Sequence, residues 1–276
     1  MKLVRYQTED VGTPSALGIG VVSAAGVHPT GYTDLHEFIA DGDRAVAAAN
    51  TAIESVAPVV ARRLLAPLPN PGKMLFLGRI FHQFRDGLGP EVPPFVYARV
   101  ASSICGPDDE IRMPGPHDTV LYEGELLAII GRGGRGISAS AAMDHVFGYT
   151  QVNDLTWTDW IHGEQAGGLV QITMCKNADT FCPMGPMVVT ADEIDPANAR
   201  CTVRVNGEVR SVTSTSDMAW SMGQIIEWLS KDMTLHPGDV IATGTSEAKP
   251  VVVGDQVEVE FDGLGILSNP VVAGWH

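Results

Sequence analysis

The stretch Leu121-Tyr122-Glu123-Gly124-Glu125-Leu126-Leu127-Ala128-Ile129-Ile130 decides how this chain is read. It is apolar apart from two glutamates near its start, and it reads as a buried strand. Residues i and i+2 of a strand point to the same face, so the pattern sets the carboxylates of Glu123 and Glu125 side by side. Like charges that close disfavour joint ionisation unless something neutralises them. A hard divalent cation with oxygen ligands does so most directly. A third acid ends another short β-prone run, Gly148-Tyr149-Thr150-Gln151-Val152-Asn153-Asp154. Three carboxylates with open coordination positions suit Mg²⁺, or Mn²⁺ or Ca²⁺ in its place, holding a substrate as well. The alternative is a solvated strand face with Asp154 capping a turn. The apolar residues on both sides of the glutamates favour the metal.

The 276 residues are enough for one large domain, or one plus a small one. A hydrophobic content of 45% and a mean hydropathy of +0.08 indicate a globular protein with a sizeable core. With 18 Lys+Arg against 33 Asp+Glu, the formal net charge is −15. Such a surface repels nucleic acid, which is discounted as a partner. No apolar stretch reaches the length of a membrane span, and the first residues lack the apolar core of a signal peptide, so the expectation is a cytoplasmic protein away from membranes. Cys105, Cys175, Cys182 and Cys201 form no CxxC pair and read as reduced core thiols.

Residues 1–70 read as a small N-terminal domain and 71–276 as the catalytic domain, the boundary set by Pro67-Leu68-Pro69-Asn70-Pro71-Gly72. Leu17 to Val22 reads as a strand, Leu35 to Ser55 as helical and Met74 to Gly78 as a buried strand. Beyond that, short strands with Gly and Pro punctuation predict an α+β, mainly β architecture. Two helices are expected within it, one from Ser138 to Phe147 with a serine N-cap, and one from Asp217 to Lys231 with Met218, Met222, Ile225, Ile226 and Leu229 at helical spacing. Gly131 to Gly136 reads as a flexible strand-to-helix turn, since it matches no phosphate-loop pattern.

A longer ordered set of motifs runs from about residue 74 to 270. It comprises Ser102-Ser103-Ile104-Cys105-Gly106-Pro107, the Glu-x-Glu strand, Asn153-Asp154, Lys176-Asn177-Ala178-Asp179-Thr180-Phe181 with Pro183-Met184-Gly185-Pro186, and His236-Pro237-Gly238-Asp239 leading to Thr243-Gly244-Thr245. This set resembles the fumarylacetoacetate hydrolase family. The resemblance implies a mixed β-sandwich roll, usually a homodimer, with a divalent metal held by Glu123, Glu125 and Asp154. It implies a small-molecule 2-oxo or β-keto acid substrate. It also makes Lys176 the active-site lysine and Thr245 a contact for the substrate carboxylate, with Arg79 a second substrate-binding candidate.

The chain departs from that pattern where the family's histidine and glutamate activate water. In ungapped register these positions are Phe84 and Gly87, and an asparagine position is Ile80. Arg99 stands for a usual lysine, Thr158 for an arginine and Ile161 for a polar residue. His82, two residues from the expected histidine, is the catalytic candidate for proton transfer, with Asp86 and His162 behind it. The first expectation is a metal-dependent hydrolase cleaving a C–C bond in an acylpyruvate or diketo acid. The alternatives are an isomerase, decarboxylase or hydratase on the same fold, or a non-catalytic ligand-binding homologue. Ile80, Phe81, Phe84 and Ile161 together predict an apolar pocket for a larger substrate tail.

Overall fold

Gly124–Ile130 forms the middle of a ten-stranded sheet in the computed structural model, which describes residues 1–8, 17–89, 92–163 and 166–274. On one side it pairs antiparallel with Val146–Asn153, followed outward by Val188–Thr190, Lys2–Gln7, Leu17–Ser23 and Gly26–Pro29. On the other side come Val240–Ala242, then Met74–Gly78 in parallel with it, then Phe95–Ala98. Every residue of Gly124–Ile130 is buried. The alternation of a strand divides its side chains between two cores. Leu126, Ala128 and Ile130 pack with Val203, Val259 and Leu267 of a second sheet and with Ile225, Ile226 and Leu229. Leu127 and Ile129 pack on the opposite face with Phe38, Ala45, Ala49 and Ala52.

The second sheet runs Glu208–Ser214, Arg200–Val205, Gln256–Phe261, Gly265–Val272, Ile111–Arg112. The helix Met222–Asp232 covers one end of the core between the sheets and buries Met222, Ile225, Ile226 and Leu229. Its start is fixed by a capping box in which the Ser221 hydroxyl accepts from Gln224 N and the Gln224 side chain accepts from Ser221 N. The mainly β architecture matches the expectation, and so do the four buried, unpaired cysteines. Strands from the first 70 residues continue the central sheet, with Leu3 opposite Val188, and share a core with Leu127 and Val240. No helix among the described residues is long and apolar enough to cross a membrane.

Three local expectations need correction. Leu121–Ile130 is two strands, since Val120–Tyr122 belongs to a three-stranded sheet with Thr156–Trp157 and Lys249–Val251. The chain changes sheet at Glu123-Gly124, where a Cβ on Gly124 would lie 2.9 Å from Cys201 Sγ and 3.0 Å from a Val203 methyl. Only glycine lets the second sheet approach this closely. Ser138–Phe147 is not a helix. It contains a short 3₁₀ turn, Ala142–His145, and Val146 already starts the strand that pairs on both edges. Nor does Gly131–Gly136 hang free, because Gly131 N donates to His145 O at 2.8 Å and Gly134 exchanges both backbone bonds with Leu235. Leu35 to Ser55 is helical as expected but broken at Gly42, whose φ of 53° no helix accommodates.

Candidate active site

The register of the central sheet brings the three acids together. Gly124 lies opposite Asn153, so the residues flanking this pair, Glu123, Glu125 and Asp154, converge at the strand ends. Asp154 N donates to Glu123 O at 2.8 Å, and Glu123 N donates to Asn153 Oδ1 at 2.9 Å. Each acid presents a carboxylate oxygen within 4.8 Å of the other two. Glu125 and Asp154 are fully enclosed, and Glu123 is half-buried.

Lys176, at the end of the short helix Ile172–Lys176, reaches into this cluster. Its Nζ lies 2.9 Å from Glu123 Oε2, 2.5 Å from Asp154 Oδ2 and 3.0 Å from Asp154 O. It also sits over the Tyr97 ring, 5.3 Å from the centroid. The Tyr97 hydroxyl and the Arg99 guanidinium both donate to Asp154, to Oδ2 and Oδ1 respectively. The Thr156 hydroxyl donates to Glu123 Oε1. Glu125 has no ion-pair partner among the described residues, and its Oε2 accepts only from Gly244 N, at 2.9 Å. Gly244 holds φ of 70°, and a Cβ there would lie 2.4 Å from Leu77 O. Any other residue would push this donor away from Glu125.

The electrostatics follow from those partners. Burial pushes the Glu125 carboxyl well above the usual range, and the charges of Asp154 and Glu123 add to the effect. Burial also raises Glu123, with Lys176 opposing it. Asp154 feels the same burial, but Lys176 and Arg99 more than offset it and hold the carboxyl below its ordinary value. Burial works against the Lys176 ammonium, yet Asp154 and Glu123 hold it above the ordinary lysine range. Ionised, the three carboxylates face two cations, Lys176 and Arg99, leaving one negative charge unmatched. An all-oxygen donor set with an unmatched charge, and one carboxyl driven toward neutrality for want of a cation, fits a hard divalent ion.

The sequence candidates outside this cluster are placed differently. His82 stands exposed on a 3₁₀ turn, His82–Phe84, and lines a cavity of about 920 Å³ with Asp86, Trp220, Glu227, Trp228 and Lys231. Arg79 is exposed in a left-handed conformation, with φ of 56°. The Thr245 hydroxyl is engaged within its own turn, with Glu247 N and O, one residue beyond the glycine that holds Glu125. Among the described residues, no hydrogen bond or ion pair joins Arg79, His82, His162 or Thr245 to the three acids. The apolar pocket is a correction: Ile80 and Phe81 are buried in the main core, whereas Phe84 is 46% exposed. Their side chains therefore do not form one wall.

A family model, fumarylacetoacetate (FAA) hydrolase C-terminal, matches residues 82–272. The chain belongs to the fumarylacetoacetate hydrolase family. It is similar to the oxaloacetate tautomerase fahd2, mitochondrial, of Xenopus laevis, with 36% identity over 291 aligned residues, covering 99% of this chain and 90% of that protein. Among solved structures it resembles a 5-carboxymethyl-2-hydroxymuconate delta-isomerase from Mycobacterium smegmatis, at 31% identity and a TM-score of 0.79, covering all of both chains. It also resembles a maleylpyruvate hydrolase from Sphingobium sp. SYK-6, determined with manganese (II) ion and pyruvate. That likeness has 29% identity and a TM-score of 0.83, over 99% of this chain and 100% of the other. These fumarylacetoacetate hydrolase family relatives are a tautomerase, an isomerase and a hydrolase by name.

Sequence reasoning missed Tyr97, Thr156 and Gly244, and noted Arg99 only as a departure. Tyr97 and Arg99 are two apart, which on a strand puts both on one face, and that spacing was the available signal. Gly244 stands in the Thr243-Gly244-Thr245 motif, but its bond to Glu125, 119 residues away, leaves no local sign.

Proposed function

We propose that this family member is a Mg²⁺- or Mn²⁺-dependent tautomerase or isomerase of a 2-oxo acid, with an oxaloacetate-like dicarboxylate as the substrate class. The observation that carries this reading is the contrast within the site. The acids and Lys176 form a complete buried charge-stabilising cluster, while the positions expected to activate water hold Phe84 and Gly87. Hydrolysis of a C–C bond needs a base that places water on a carbonyl carbon. Keto–enol exchange places no water on carbon: the proton of a C–H bond beside the carbonyl passes to a solvent water, a solvent proton goes to the oxygen, and the oxyanion between these steps is held.

Glu123, Glu125 and Asp154 are the residues that would hold the cation, which when bound supplies Lewis-acid polarisation of the substrate carbonyl. Lys176, kept protonated by Asp154 and Glu123, holds the developing oxyanion without giving up its proton. Tyr97 and Arg99 keep the Asp154 carboxylate turned toward the cluster. The likeness to an oxaloacetate tautomerase over nearly the whole chain supports the same reading.

A second reading, C–C hydrolysis, is favoured by His82 and Asp86 lining one open cavity, where they could serve water. The test follows the enol absorbance of oxaloacetate with chelator-stripped and metal-loaded protein, alongside product analysis of an acylpyruvate. Metal-dependent enol decay with no carbon fragments is expected. Lys176→Met should lower that rate by about 10²–10³-fold, the cost of losing one preorganised charge stabiliser, while metal binding measured by calorimetry persists. Two carbon fragments from the diketo acid, with oxaloacetate untouched, would replace this reading with the hydrolase.

A further inference from the structure

Arg99 contacts both halves of the site. The Phe95–Ala98 strand delivers it beneath the cluster, where Arg99 N still continues the ladder by donating to Met74 O at 3.1 Å. Its side chain and that of Asp154 are both fully excluded from solvent. One guanidinium nitrogen, Nη1, donates to Asp154 Oδ1. The other, Nη2, donates to Lys176 O and, at 2.8 Å, to Phe181 O. The flat group also lies over the Phe76 ring, 5.4 Å from its centroid. Nε makes no hydrogen bond although it is buried, a cost that a residue selected for stability alone would avoid.

We propose that Arg99 is a positioning residue that sets the Lys176 ammonium against the cation-holding carboxylates. The proposal rests on the reading of the site given above. Lys176 is the last residue of a five-residue helix, too short to fix its own end. A guanidinium on the terminal carbonyl holds that end in place, and the same planar group holds Asp154. A lysine ammonium is a compact point charge and lacks the fork that spans both partners. Arg99→Lys therefore preserves the positive charge beside Asp154 and removes the link to the Lys176 backbone.

The experiment is a double-mutant cycle by calorimetry on the full chain, with wild type, Arg99→Lys, Lys176→Met and the double variant. Mn²⁺ is titrated first, then oxalate, an enolate mimic, into Mn²⁺-saturated protein. For Arg99→Lys we expect Mn²⁺ affinity within about threefold of wild type and oxalate affinity at least tenfold weaker, and the double variant should bind oxalate no more weakly than Lys176→Met alone. A structural role alone would lower the melting temperature without this non-additivity. Wild-type oxalate affinity in Arg99→Lys, additive losses in the cycle, or Mn²⁺ affinity falling as far as oxalate affinity would each overturn the proposal. Should Arg99→Lys not fold, Arg99→Gln carries the same cycle and the same additivity criterion. Wild-type protein that binds oxalate but leaves oxaloacetate untouched would overturn the tautomerase reading and leave the cycle to decide the role of Arg99.

Discussion

The floor and the rim of the site are built on different principles. The floor draws its groups from distant parts of the chain, namely Tyr97, Arg99, Glu123, Glu125, Asp154, Lys176 and Gly244, and joins them through side chains that are nearly all buried. By the rim we mean the one local segment after Gly78, which exposes Arg79, His82 and Phe84 and neighbours the loop that carries Gly244. The buried Arg85 guanidinium ties it down by donating to the carbonyls of Arg79, Gly89 and Val92. The Gln83 side chain donates to Ser246 O in the loop that carries Gly244, Ile80 O accepts from Ala219 N at 2.8 Å, and Phe81 forms a β-bridge with Met218. Charge stabilisation needs groups that do not move, which the floor supplies.

The comparison breaks most sharply at the floor. Removing Glu125 deletes one of three oxygen donors, and Glu125→Ala should weaken Mg²⁺ or Mn²⁺ binding by about 100-fold or more, measured by calorimetry with oxalate present. Retention of binding within tenfold would show that the other two acids suffice and that the Gly244 bond serves packing alone.

The next effect is a dependence on pH. In metal-free protein the Glu125 carboxyl is raised well above its ordinary value, burial being the first cause. Its contribution to stability is therefore present below the ordinary carboxylate range, about pH 4, and is lost as pH rises from there through the raised value. Asp154 is shifted down, so its contribution persists throughout that window. The melting temperature of stripped protein should fall as pH rises from about 5 to 8, and saturating Mg²⁺ should remove the fall. A metal-induced gain that is constant across this range would contradict the assignment of Glu125.

The smallest effect belongs to the rim. With His82 exposed and outside the carboxylate cluster, His82→Ala should change enol turnover by no more than about threefold, well under the 10²–10⁴ of a general acid or base. A loss above tenfold would move the proton-transfer machinery to the rim and favour hydrolysis.

The acids were legible in the sequence because each sits in a short local pattern, whereas Lys176 stood out only through the family resemblance. The two-residue spacing of Glu123 and Glu125 looks, in the sequence, like a property of one strand. In the structure the chain changes sheet between Tyr122 and Gly124, and the carboxylates converge because the register sets Gly124 against Asn153. The Ser138–Phe147 helix failed for a related reason. Its alanines favour helix locally, but Val146 and Phe147 belong to a strand whose two neighbours come from elsewhere, and tertiary pairing outweighs propensities worth a few tenths of a kcal/mol per residue. Arg99 could be read as a replaced lysine, yet its three acceptors lie 55 to 82 residues away. Long-range pairing of that kind leaves no local trace.

The bond between Gly244 and Glu125 has a consequence for the birth of the protein. A chain leaving the ribosome displays both glutamates early, but the donor that fixes Glu125 emerges 119 residues later. The strand carrying that donor's neighbours, Val240–Ala242, is also the partner that closes one edge of Gly124–Ile130. A chain made only as far as Asp154 therefore has the acids without the cradle, and the ion has nothing rigid to join until Gly244 has emerged. Capture of the ion then acts as a last latch, adding about 2.7 kcal/mol when free metal stands at a hundredfold its dissociation constant. Cellular metal supply would in this way govern how long the finished protein survives, as well as how fast it works.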